Sequence, residues 1–132
     1  IKALKNLNIN QIFLSNRTIK NSDHITKQYP EIIIVEWGQI PDFDIVINAT
    51  SLGLNKDDNI NFNFEELNNP KIFYDVIYNP RVTKFLEQAK QSGHKIINGK
   101  MMLLFQAQKA FEIWHGFLPK IDNNLLEFLN ND

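Results

Sequence analysis

Four stretches of this chain place chemically capable side chains at close spacing. Ser15-Asn16-Arg17-Thr18 sets a guanidinium among two hydroxyls and an amide, and the planar Arg fork offers paired N–H donors to phosphate oxygens. Asp44 to Gly53 (DIVINATSLG) runs from apolar residues into Asn48, Ala49, Thr50 and Ser51 and closes on Gly53. Small side chains there let a flat ligand approach the backbone. Tyr74 to Pro80 (YDVIYNP) carries Tyr78, a phenol able to donate into a cleft. Asn98 to Ala107 (NGKMMLLFQA) opens a helical pattern at Gly99, with Gln106 as a polar side chain inside an apolar run. If Gln106 is buried it needs a partner, from protein or ligand.

Each stretch also has a plainer reading. The first can be a solvated turn with Thr18 capping a helix, and the second a polar turn. Tyr78 can be a core aromatic with a wet hydroxyl, and Gln106 can be satisfied inside a core helix. Asn16-Arg17-Thr18 and Asn48-Ala49-Thr50 match the glycosylation sequon as well; with no signal-peptide pattern and no Cys, glycosylation is not expected.

Composition narrows the classes. The absence of Cys excludes a disulfide framework, a thiolate nucleophile and Cys-ligated zinc or iron–sulfur centres. His24, His94 and His115 fall on different elements without metal-ligand spacing, so no metal is expected. Fourteen Lys and Arg against 15 Asp and Glu leave a net charge of -1, which gives no argument for nucleic acid or an anionic membrane. No run approaches the ~18 apolar residues of a membrane span. A cytoplasmic location is the expectation.

The elements that must position these residues alternate between strand and helix. Gln11 to Ser15 reads as a strand, Ile19 to Tyr29 as a helix ended by Pro30, and Glu31 to Glu36 as a strand. Phe43 to Ala49 and Lys71 to Tyr78 are further apolar strands, expected to be buried on both faces. Ser51 to Asn63 reads as a loop, and Phe64 to Leu67 as one helical turn. Val82 to Ser92 is an amphipathic helix with Phe85, Leu86 and Ala89 inward and Gly93 beyond its end. His94 to Ile97 reads as a short strand, Gly99 to His115 as a long helix, and Asp122 as the cap of a last helix. This order indicates an α/β fold with a doubly wound parallel sheet. At the carboxyl ends of such strands ligands bind, and an Arg after the second strand accommodates the 2′-phosphate of NADP where an acidic residue would select NAD.

Taken in order, the four stretches resemble the carboxyl-terminal, NADP-binding half of the shikimate dehydrogenase family. The resemblance runs from about Gln11 to Pro119. It is carried by Asp75-Val-Ile-Tyr-Asn-Pro, Thr83, Ala89, Gly93, Asn98-Gly, Met102-Leu103, Gln106-Ala107, Phe111, Trp114 and Gly116. It implies an enzyme that reduces 3-dehydroshikimate to shikimate with NADPH, in the chorismate pathway of aromatic amino-acid biosynthesis. By that similarity Asn16, Arg17 and Thr18 hold the adenosine 2′-phosphate. Asn48, Ala49, Thr50 and Ser51 line the cofactor groove, Val76, Gly99 and Met102 lie near the nicotinamide, and Tyr78 and Gln106 touch the substrate. Lys100 departs from the family's usual apolar residue.

The family's Gly-rich phosphate loop and its catalytic Lys and Asp have no counterpart in these residues, so no catalytic residue is assigned. The expectation is a Rossmann-like sheet lacking its first strand and Gly-rich loop. Residues 1–119 would be a truncated NADP-binding domain, residues 120–132 a helix packing on it, and the substrate domain would precede Ile1. The first strand is central in the order 3-2-1-4-5-6, so direct pairing of Gln11–Ser15 with Asp44–Ala49 would count against this reading. Two alternatives remain at this stage: a quinate/shikimate dehydrogenase using NAD, which Arg17 opposes, and a non-catalytic module of the same fold.

Overall fold

The computed structural model describes residues 1–7 and 9–130; Asn8, in the Asn8-Ile9-Asn10 stretch whose composition reads as a turn, lies outside the described residues. The chain divides into two compact units: Ile1–Phe43 with Asn61–Asn63, and Asp44–Ile60 with the chain from Phe64 onward.

In the first unit β1 (Phe13–Ser15) pairs parallel to β2 (Ile33–Val35), with Phe13 opposite Ile33 and Ser15 opposite Val35. A short helix α1 (Lys2–Asn6) precedes them. Lys5 forms an ion pair with Glu31, which holds the Glu31 carboxyl below its ordinary range. The expected helix from Ile19 to Tyr29 is two pieces, a 3-10 turn over Ile19–Asn21 and α2 (Asp23–Gln28). The break lies at Ser22, which is buried and whose N–H bonds Ile19 O three residues back at 2.8 Å, the tighter 3-10 spacing. Thr18 does not cap through its side chain, as expected of it from sequence. Its own N–H instead donates to Asn16 Oδ1 at 3.1 Å, an Asx turn that competes with helix capping.

The second unit holds β3 (Ile45–Asn48), β4 (Ile72–Asp75) and β5 (Lys95–Ile97), all parallel, with β4 central. Helix α3 (Lys84–Gln91) makes the crossover from β4 to β5 and buries Phe85, Leu86 and Ala89, as its apolar spacing requires. Phe73 on β4 is fully buried. Phe64, Phe85 and His94 pack around it with ring centroids 5.3, 5.3 and 5.0 Å away. His94 therefore precedes β5 as part of this core rather than beginning the strand. Two helices follow, the long α4 (Lys100–His115) and α5 (Asn123–Asn130), the latter capped by Asp122 Oδ1, which accepts from Leu125 N at 2.9 Å.

Two expectations about the strands are corrected. Not every strand is covered on both faces: Ile45 and Ile47 of β3 are 52% and 40% exposed, because alternate side chains of a strand face opposite ways and only one set meets the core. The strand expected to run to Tyr78 stops at Asp75. The Ile77 N–H is captured there by the Asp75 side chain at 3.0 Å and leaves the ladder. Among the described residues the strands form two sheets, β1–β2 and β3–β4–β5, and no ladder joins Gln11–Ser15 to Asp44–Ala49. Within each sheet the neighbours are those of the doubly wound order, second beside third, and fourth, fifth and sixth in line.

Candidate functional site

In the first unit, Asn16, Arg17 and Thr18 follow the carboxyl end of β1. The Asx turn fixes this segment's backbone, and Arg17 and Thr18 are exposed. A cation and a hydroxyl presented on a short rigid turn are a fitting donor set for a phosphate group.

In the second unit, the ends of β3 and β4 are tied by a buried polar network. Asn48 is 4% exposed. Its Nδ2 donates to Leu52 O at 3.0 Å and to Asp75 Oδ1 at 3.1 Å. Its Oδ1 accepts from the N–H and the hydroxyl of Thr50, at 3.0 and 2.7 Å. All four hydrogen-bonding positions of the side-chain amide are thereby filled. Thr50 Oγ1 also accepts from Leu52 N at 3.1 Å, closing the loop on itself. Asp75, fully buried, accepts from Ile77 N on Oδ1 and from Thr83 Oγ1 on Oδ2, the latter at 2.7 Å. Thr83 in turn caps α3 by accepting from Leu86 N.

Further along the loop, Asp58 Oδ2 accepts from the N–H groups of Gly53 and Asn55 at 3.1 and 3.0 Å. Those donors, Asn55 first, hold its carboxyl below the ordinary carboxylate range. Gly53 has φ of +116°, and a Cβ there would meet Thr83 Cγ2 at 3.0 Å, so the sharp turn after β3 requires glycine twice over. Tyr74 lies beside this network. Burial, followed by the neighbouring Asp75 carboxylate, pushes its phenol pKa up, so Tyr74 stays protonated.

The start of α4 is set by one close approach. Gly99 N donates to Ile77 O at 3.0 Å, and a Cβ on Gly99 would lie 1.9 Å from Val76 O. Asn98 spans the same joint, its Nδ2 donating to Arg81 O at 2.9 Å and its Oδ1 accepting from Lys100 N at 3.2 Å. Gly99 is thus needed because a helix start and a strand end touch through backbone. Val76 and Met102 are half-buried, while Tyr78 is 50% exposed. Gln106 is exposed, which corrects the reading of it as a polar residue satisfied inside a core helix. The neighbouring Gln108 makes the internal contact, its Nε2 donating to Pro119 O at 2.7 Å. On the other flank of α4, Arg81, Lys100, Met101 and Leu104 line a cavity of about 310 Å³ together with Leu126 and Leu129 of α5.

The structure therefore brings Asn48 to Ser51, Val76, Tyr78 and Gly99 to the carboxyl ends of β3 and β4 within one unit. It leaves Ala49, Thr50 and Ser51 exposed as a shelf of small and hydroxyl groups. Sequence reasoning missed the roles of Asp75, Thr83 and Asp58. The available signal was an acidic residue inside an otherwise apolar strand, which must find donors if buried. Among the described residues no group of three His, Asp or Glu is placed to hold a metal, and no helix is long and apolar enough to cross a membrane.

Parallel strands, with helices α2 and α3 in the crossovers from β1 to β2 and from β4 to β5 and the polar shelf at the carboxyl ends of β3 and β4, define a Rossmann-like α/β protein. No family model matches the chain. It is 49% identical over 130 residues to the NADP(+) shikimate dehydrogenase of Pelagibacter ubique (strain HTCC1062), covering 98% of this chain and 49% of that protein. Its fold matches the crystal structure of the Aquifex aeolicus shikimate dehydrogenase with a TM-score of 0.77 and 31% identity, over 92% of this chain and 45% of the other. It matches a shikimate dehydrogenase in complex with NADP+ with a TM-score of 0.76 and 32% identity, again over 92% and 45%. Along nearly its whole length the chain is homologous to shikimate dehydrogenase, and it spans about half the length of the curated relatives it matches.

Proposed function

We propose that this chain is the NADP-binding half of a shikimate dehydrogenase, which reduces 3-dehydroshikimate to shikimate with NADPH in the cytoplasm. The observation that carries the reading is the 49% identity to the NADP(+)-dependent Pelagibacter ubique enzyme over 130 residues. In this reading residues 1–119 form the cofactor domain and α5 (Asn123–Asn130) packs on it, Asn131 and Asp132 of the expected last helix lying outside the described residues; Leu126 and Leu129, which line the cavity beside α4, and the bond from Gln108 to Pro119 O support that packing.

The donor sets fit the cofactor. Arg17 and Thr18 would hold the adenosine 2′-phosphate, with Asn16 fixing their turn. Ala49, Thr50 and Ser51 would line the groove, with Asn48 beneath them, because its side chain has no hydrogen-bonding capacity left for a ligand. Val76, Gly99 and Met102 would adjoin the nicotinamide, and Tyr78 and Gln106 would meet the substrate with exposed polar groups. When bound, NADPH supplies the hydride; these residues bind and orient it. No catalytic acid or base is assigned to this chain.

The test is a chimera in which this chain replaces the matching residues of the Pelagibacter ubique enzyme, assayed with 3-dehydroshikimate. Turnover with NADPH in preference to NADH is the expected result. A folded chimera without NADPH-dependent turnover overturns the reading. Calorimetric titration of the same chimera separates loss of cofactor binding from loss of chemistry.

A further inference from the structure

We propose that Asp75 is a positioning residue for the dinucleotide: it locks the side-chain amide of Asn48 in one orientation and thereby fixes the loop from Thr50 to Gly53 that receives the cofactor. The inference rests on the cofactor site proposed above. Asp75 is fully buried, and its two oxygens take three donors, Asn48 Nδ2, Ile77 N and Thr83 Oγ1, at 3.1, 3.0 and 2.7 Å. A carboxylate only accepts, so Asn48 must turn its NH2 toward it. That choice leaves Asn48 Oδ1 facing the loop, where it takes both the N–H and the hydroxyl of Thr50, while the second amide hydrogen holds Leu52 O. With the amide flipped, an oxygen would face the carboxylate and an NH2 would face the Thr50 N–H, and both pairs would repel. One buried carboxyl thus decides the conformation of a loop two links away, and Thr83 ties the same carboxyl to the start of α3.

Asp75→Asn tests this because it keeps the shape but removes the charge and replaces one acceptor oxygen by an NH2, so Asn48 Nδ2, Ile77 N and Thr83 Oγ1 can no longer all be accepted. In the chimera, Asp75→Asn is expected to raise KM for NADPH about tenfold, the scale of one charge-assisted hydrogen bond, with kcat changed less than about twofold. Thr83→Val, a milder variant that keeps Asp75 but takes away its hydroxyl donor, should raise KM in the same direction by a smaller factor. Thr83→Ser should restore the parent value. An independent readout is amide exchange without cofactor. The Thr50 and Leu52 amides should exchange at least about tenfold faster in Asp75→Asn while Phe73 and Tyr74 on β4 stay protected. Unchanged KM in a folded variant, or faster exchange spread evenly over the unit, overturns the positioning role. If the unsubstituted chimera itself neither binds NADPH nor turns over, the functional reading falls first and takes this inference with it. If the parent works and the variants match it, the positioning role alone falls.

Discussion

At the scale of single residues, chemistry and scaffolding separate cleanly. Arg17 is exposed on the turn that Asn16 and Thr18 close, where its guanidinium is open to a ligand. Arg17→Ala is expected to weaken NADPH binding by about 1.5–3 kcal/mol, the range for a hydrogen bond to a charged group. NADH, which has no 2′-phosphate, should be almost unaffected; equal losses for the two coenzymes in calorimetry would remove Arg17 from the phosphate site. Asp58 is the opposite case, an acid that serves only its own loop. Its folded pKa lies below the ordinary carboxylate value, so its contribution is present above the unfolded pKa and is lost as pH falls through the lower, folded one. Below about pH 4, the Gly53 and Asn55 amides should therefore begin to exchange faster, and Asp58→Asn should abolish that acid step. Arg17 could be singled out from sequence only through the motif order and the family resemblance, because a basic residue in a turn after a strand is more often an ordinary solvated surface residue. The role of Asp58 could not, since three carbonyl-like acceptors within reach of a Gly N–H look alike in a string of Asn and Asp.

At the scale of elements, the apolar periodicity found nearly every strand and helix, and the differences lie at their ends. β4 was expected to reach Tyr78 because Val76 and Ile77 are good strand residues. Val76 N still bonds Asn48 O, and the strand ends because the Asp75 side chain takes the following N–H, that of Ile77. The helix over Ile19 to Tyr29 was legible as helical but not as two pieces, because the break at Ser22 comes from hydrogen-bond spacing rather than from residue type. Gly99 was singled out as a neighbour of the nicotinamide, and the structure adds a steric reason that no spacing rule contains. Since a Cβ there would sit 1.9 Å from Val76 O, Gly99→Ala must push α4 away from β4. We expect a loss of about 1–3 kcal/mol, the usual cost of overpacking, read as a lower Tm of the chimera. An unchanged Tm would mean that the joint is looser than described.

At the scale of the whole molecule, the α/β class and the parallel strands followed from strand–helix alternation and motif order. The exposure of Ile45 and Ile47 did not, because a continuous apolar run cannot say which of its two faces finds a covering layer. The core of the second unit is concentrated in the aromatic cluster around Phe73. Phe73→Ala should cost about 3–5 kcal/mol, a large part of the ~5–15 kcal/mol of a typical domain. Chemical denaturation of the chimera should show this as a lowered midpoint, while Ile47→Ala on the exposed face should move it far less.

The joint between β4 and α4 also has a mechanical meaning. Gly99 N is bonded to Ile77 O, Asn98 is tied to Arg81 O, and the space beside Val76 O is too small for a methyl group. Strand end and helix start are therefore joined through backbone, and a swing of α4 about residues 97–100 would have to break the bond from Gly99 N to Ile77 O and the one from Asn98 Nδ2 to Arg81 O.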